Sequence, residues 1–303
     1  INATVPIFEQ LVDPRQIFLT ANDNTVYSWT WIDLTDGPLV VEVPPNVLGL
    51  VDNMWYRWVI DVGITGPDKG EGGAYLFLPP DHEGPTPAGD FIEIVQSPTF
   101  HLWMPWRSFL TDGDPTPGID VVKAHTKIYA PGEEPGALTF VNLSERPFNT
   151  VAPADYSFWN LLNEVIQEEP VDTLDPVTLG FFASIGIEKG KPLDPDDRMR
   201  AILTEAAAVG DATARTIAFH SRDDAFFIYD DSQWQVAFVG GYKFQSQPGV
   251  NYLDGAAFFY FVATGVTPAM EQKMVGLGSQ YAWVAHDADR ARLEAAMRAA
   301  TDN

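Results

Sequence analysis

Short runs rich in Val, Ile, Tyr, Trp and Phe, broken by clusters of Gly, Pro, Asn and Asp, recur from Ile17 to about Pro147, and that rhythm predicts antiparallel strands. The strands it predicts are Val26 to Asp33, Leu39 to Val43, Trp55 to Val62, Ala74 to Leu78, Phe91 to Val95 and Phe100 to Trp103. Asp36-Gly37-Pro38, the Gly66 to Gly73 stretch and His82 to Gly89 separate them as loops. In Tyr27 to Asp33 and Trp55 to Asp61 successive positions are bulky, which predicts strands covered on both faces and central in a sandwich. Ile119 to Tyr129 reads either as a short helix or as a strand.

At Val151 the period changes. Phe158, Leu161, Leu162, Val165 and Ile166 recur at helical spacing after Asp155, and Pro170 ends the run. A second helix is expected from Asp175 as N-cap and Pro176 at the first helical position, ending near Gly186. A third repeats that signature with Asp194 and Pro195 and is expected to stop at Gly210, with further helix to about His220. Phe226 to Phe244 is aromatic and ambiguous in type, Phe258 to Val262 is apolar, and Thr267 to Val275 reads as helix. Tyr281 to Ala285 reads as a short strand and Ala288 to Ala300 as a helix. The pattern as a whole predicts an α+β protein, with a β-sandwich over 1–150 and a mainly helical part over 151–303.

Composition narrows the function classes. The formal charge of −24, from 42 acidic against 18 basic residues, repels phosphate backbones and argues against a nucleic-acid partner. The 19 Phe, 10 Tyr and 9 Trp supply a large core or an aromatic cleft. With no cysteine, disulfides, thiolate metal sites and cysteine nucleophiles are excluded together. No run reaches the roughly 20 apolar residues of a spanning helix, so no transmembrane segment is expected. The first residue is Ile rather than Met, and removal of an export signal is one explanation of it, trimming the other.

Asn22-Asp23-Asn24-Thr25-Val26-Tyr27, then Trp31-Ile32-Asp33-Leu34 and Gly37-Pro38-Leu39-Val40-Val41-Glu42-Val43-Pro44, resembles the bacterial family known as domain of unknown function 1254. Ile185-Gly186-Ile187, Gly190-Lys191-Pro192, Asp194-Pro195-Asp196 and Ala263 to Met270 are similar to the same larger proteins, so the resemblance spans roughly Asn22 to Asp289. It implies jelly-roll-like sandwiches bridged by helices, often exported, with no established reaction. It also implies a second β domain, of unknown function 1214, of which only a truncated start is expected here.

The candidate chemistry is sparse. Asn22, Asp23, Asn24 and Thr25 precede a strand, where they read either as cleft residues or as an Asx-type turn. Arg107, after His101-Leu102-Trp103-Met104-Pro105-Trp106, reads either as an anion anchor beside aromatic walls or as the partner of Asp33 or Asp61 in a buried ion pair. The five histidines lack metal-binding spacing, although folding could join His101 to a strand carboxylate. Asp112, Asp114 and Asp120, and Asp194, Asp196 and Asp197, read better as turns and caps than as calcium ligands. Gly276 to Gln280 lacks the nucleophile-elbow order, and no nucleotide fingerprint occurs, so no metal and no cofactor is expected.

The residues expected at a binding site are therefore Asn22, Asp23, Asn24, Tyr27, Asp33, Asp61, Trp103 and Arg107. The expected function is binding of a small polar or carbohydrate-like ligand in an aromatic cleft, in the periplasm or outside the cell. The alternative is a hydrolase-like enzyme using Asp carboxylates and Arg107. A homo-oligomer is compatible with either.

Overall fold

The computed structural model describes residues 2–13, 16–18, 21–246, 249, 251–271 and 282–284. By internal contacts the chain divides into two compact units, one of 1–13, 21–146 and 159–201, the other of 14–20, 147–158 and 202–303.

The first unit is built on two sheets. Its strands are β1 (Thr4–Ile7), β2 (Thr25–Asp33), β3 (Leu39–Val43), β4 (Val47–Asn53), β5 (Trp58–Gly63), β6 (Gly73–Leu78), β7 (Glu93–Gln96), β8 (His101–Phe109), β9 (Lys127–Tyr129) and β10 (Thr139–Asn142), with helix α1 (Thr116–His125) before β9. Six strands form one sheet in the order β10-β1-β2-β8-β4-β5, and four form another in the order β7-β6-β3-β9. Pairing is antiparallel except for β1 with β10 and β6 with β7, which run parallel, so the expected purely antiparallel architecture is corrected to a mixed one.

Alternation decides which side chains meet. Val5 and Ile7, Val26 and Ile32, Val47 and Val51, and Leu102, Met104 and Trp106 turn one way from the larger sheet. They share a single buried cluster with Val41, Val43, Tyr75 and Phe77 of the smaller sheet and with Ile119 and Val122 of α1. The region left open as helix or strand is both, since α1 ends at His125 and β9 begins at Lys127.

Two expectations about position change. Trp55 to Arg57 are not strand: the Asn53 Oδ1 accepts the Trp55 and Arg57 N–H groups at 2.9 and 3.1 Å, and Tyr56 lies at φ 55°, which makes a tight turn. The strand that follows, β5, is at the sheet edge rather than its centre.

The helices bear out the capping signals in part. Helix α2 covers Ser157–Glu168, and α3 covers Pro176–Ser184 with the Asp175 side chain accepting the Thr178 N–H at 3.1 Å. Helix α4 (Asp197–Phe219) starts two residues later than expected, because Asp196 and not Asp194 accepts the Met199 N–H, at 2.7 Å. It runs through Gly210, whose cost of about 1 kcal/mol relative to alanine in a helix is within what a long helix tolerates.

In the second unit Phe258 to Val262 belong to helix α5 (Leu253–Val262), and Phe258, Phe259, Phe261 and Val262 pack with Phe219, Phe244 and Val266 in a core of their own. The ambiguous aromatic stretch resolves into short turns of 3-10 helix and strand β11 (Trp234–Val236), paired antiparallel with β12 (Ala282–Val284). Thr267 caps a 3-10 turn at Pro268–Met270, and residues 272–275 of the helix expected over Thr267 to Val275 lie outside the described residues. Gly276 to Gln280 and the helix expected over Ala288 to Ala300 lie outside the described residues.

Candidate functional site

The core-facing register of β2 and β8 dictates what their other face carries. In this antiparallel pair Asp33 lies opposite His101, Trp31 opposite Trp103, Trp29 opposite Pro105, and Tyr27 opposite Arg107. Since Ile32, Leu102, Met104 and Trp106 enter the core, these alternate residues line the reverse face of the six-stranded sheet. Asp61 of β5 is on that face too, opposite Leu50, while Val62 beside it turns inward.

The face divides into two ends. Six residues separate His101 from Arg107, which along a strand is about 20 Å. At one end the Asn22 Oδ1 accepts from the Thr25 N–H and hydroxyl, at 2.9 and 2.7 Å, and from the Asn24 N–H at 3.2 Å. The Asn22 N–H donates to the Tyr27 hydroxyl at 3.1 Å, so this motif is an Asx-type turn that seats Tyr27, with Asp23 and Asn24 exposed. Arg107 sits across from Tyr27, and neither Asp33 nor Asp61 reaches it as an ion-pair partner. Asp61 instead accepts the Trp58 indole N–H at 3.1 Å.

The other end gathers chemistry. Phe8, Trp29, Trp103 and Trp31 form a ladder of tilted ring contacts, with centroids 5.7, 5.7 and 4.8 Å apart in succession. Trp31 at its outer end is 39% exposed, and the buried Trp103 indole N–H has no hydrogen-bond partner among the described residues. Next to this pair stands an imidazole held between two carboxylates. Its Nδ1 lies 2.8 Å from the Glu169 Oε1, and its Nε2 lies 3.5 Å from the Asp33 Oδ1.

Glu169 follows the last residue of α2 and is fully buried. Its two oxygens also accept the Phe100 and His101 backbone N–H groups, at 2.6 and 3.0 Å, which accounts for a carboxylate inside the protein. The Lys189 ammonium donates to the Gln167 and Glu169 carbonyls, closing the end of α2.

Asp33 accepts from the Thr35 hydroxyl and N–H, and Asn2 brackets its backbone. Burial by itself raises the Asp33 carboxyl, but the Thr35 hydroxyl and N–H, with His101 beside it, outweigh that and hold it below the ordinary 3.8. A folded-state value below the unfolded one stabilises the fold above pH 3.8, and the benefit is lost as pH falls through the lowered value. Asp33→Asn is accordingly expected to lower thermal stability in the neutral range, to leave it unchanged in strong acid, and so to flatten the acid limb below about pH 4; melting curves across that range check it.

The sequence could suggest His101 with a strand carboxylate, but nothing in it points to Glu169, 68 positions away. Among the described residues no group of three His, Asp or Glu side chains is arranged to hold a metal ion. Asp114 accepts the Thr116 N–H at 2.9 Å, a turn ahead of α1. A groove of about 620 Å³ lies elsewhere in the unit, lined by Lys123, Thr126, Lys127, Leu138 and Phe140 among others. It contains none of the expected residues, and its ammonium groups are engaged by Glu9 and Glu42 at 2.6 and 2.8 Å, so the sheet face is the stronger candidate.

Residues 3–130 match the model of a family described as Protein of unknown function (DUF1254). No curated protein matches the chain. Among solved structures it is similar to the crystal structure of the VPA0106 protein from Vibrio parahaemolyticus, with 17% sequence identity and a TM-score of 0.52 over 83% of this chain and 59% of that one. The chain thus spans less than two thirds of that protein, and the likeness is one of fold. No helix among the described residues is long and apolar enough to cross a membrane.

Proposed function

Residues 3–130 are a DUF1254 region, a family description that names no activity, and from the site they carry we propose that the protein binds a small polar, carbohydrate-like ligand on the Trp31–Trp103 face. One observation carries the reading: an exposed indole in tilted contact with a second one, beside the Asp33 carboxylate and the His101 imidazole. An indole face receives the apolar side of a sugar ring, and a carboxylate edge accepts its hydroxyls.

The scaffold of this reading is a sandwich of jelly-roll type, and its setting is the periplasm or the cell exterior, where the acidic surface keeps the protein dispersed. A hydrolytic centre joining Asp33 or Asp61 to Arg107 is the weaker reading, because Asp33 and Arg107 stand about 20 Å apart along the ladder. The test is a thermal-shift screen of monosaccharides, polyols and organic acids. A saccharide or polyol is expected to raise the melting temperature of the natural protein and not that of Trp31→Ala. An organic acid acting alone, through Arg107→Gln and not Trp31→Ala, would overturn the reading.

A further inference from the structure

Glu169 is fully buried, and one of its oxygens lies 2.8 Å from the Nδ1 of His101. We propose that His101 is a proton-transfer residue, that Glu169 is its positioning residue, and that the proton exchanged belongs to a hydroxyl group of the ligand on the Trp31–Trp103 face. The inference rests on the ligand reading given above.

The geometry fixes the working nitrogen. An ionised carboxylate only accepts, so the 2.8 Å contact with Glu169 keeps the hydrogen of His101 on Nδ1. Glu169 cannot swing aside without stranding the Phe100 and His101 backbone donors, so the ring is locked. Nε2 is then left to face Asp33 at 3.5 Å, longer than the roughly 2.7–3.2 Å of a good hydrogen bond. A ligand hydroxyl on the indole face can direct its one hydrogen at Nε2, and a neighbouring hydroxyl of the same ligand can donate to the Asp33 carboxylate.

In the transfer the ligand O–H bond breaks, its electron pair stays on oxygen, and the proton bonds to Nε2. The imidazolium so formed is flanked by two anions, which is the arrangement that favours it. Among the described residues the titratable groups facing the ring are Asp33 from β2 and Glu169 from the end of α2, while Lys189 reaches only the carbonyls behind the carboxylate.

The experiment measures the rate of carbethoxylation of His101 by diethyl pyrocarbonate in the full chain at neutral pH, with methyl glucoside as the ligand probe. The reagent attacks only an unprotonated ring nitrogen, so the nitrogen it modifies shows which one carries the free lone pair. His101 is expected to react at Nε2, and saturating methyl glucoside to slow it several-fold. Glu169→Gln, which no longer holds the hydrogen on Nδ1, is expected to change the rate several-fold and to move part of the modification to Nδ1, read by NMR of the modified chain. An unreactive His101, or a rate and site unchanged in Glu169→Gln, overturns the proton-transfer role. A changed site without protection by the glucoside supports that role and overturns the carbohydrate reading instead.

Discussion

Replacing Asp68 with alanine is expected to destabilise the first unit by roughly 3–5 kcal/mol, the cost of removing one partner from a buried, fully bonded charged network. Asp68 is 4% exposed, and its carboxylate accepts the Gly63 N–H at 2.7 Å, the Gly72 N–H at 3.1 Å and the hydroxyl of the fully buried Tyr75. It thereby fastens both ends of the loop from β5 to β6. Gly63 and Gly72 sit at φ 75° and 74°, and a Cβ on Gly63 would lie 2.0 Å from the Val47 carbonyl oxygen, so the loop has no other way to present these donors. Burial pushes the Tyr75 phenol well above its ordinary range, as does its hydrogen bond to Asp68, so it remains the donor. Asp68→Asn keeps one acceptor oxygen and is expected to cost about 1–3 kcal/mol. Urea unfolding measures both, and a loss below about 1 kcal/mol for the alanine variant would contradict the network's role.

The second large effect falls at the site itself. Glu169→Ala strands three N–H donors, those of Phe100, His101 and the imidazole, and is expected to cost roughly 3–5 kcal/mol. Two features distinguish it from a general core defect. Amide exchange is expected to rise first at Phe100 and His101 and at the end of α2, and the Trp31 indole signal is expected to broaden as His101 loses its orientation. Uniform loosening of the sheet with no local onset would contradict the assignment of Glu169 as the anchor.

How legible the molecule was depends on the range over which each interaction acts. Strands β2, β3 and β6 were readable because runs of β-branched and aromatic residues between turn clusters are a local signal, and α3 because Asp175 and Pro176 are a local cap. Strand β8 looked as if it ended at Trp103, since Pro105 cannot donate to a ladder. It continues because its neighbour gives way: the β4–β8 register is interrupted between Gly49–Trp106 and Asp52–Trp103, and β4 carries a shift at Val51/Asp52. Strand β4 itself, with Gly49 inside it and Asp52-Asn53 closing it, offers no clean alternation and was missed. So was β1, whose partners β2 and β10 are both distant in sequence or joined by a single register pair.

The site was legible in its residue types and not in its grouping. Asp33, Trp103, Tyr27 and Arg107 share a face, as their spacing along two strands allows, but pairing Asp33 with His101 rather than with Arg107 is a matter of register. That register is set by the far side of the sheet, where Ile32 and Leu102 meet the core. Asn22 to Thr25 turned out to bond one another, which any stretch of short polar side chains before a strand can do.

The most direct test of ligand recognition at the aromatic end of the face is the indole N–H spectrum of the isotopically labelled chain during titration with methyl glucoside. The Trp31 and Trp103 resonances are expected to move together and saturate, while that of Trp106, buried on the core side of β8, stays fixed. Movement of none of the three, or of Trp106 alone, would contradict it.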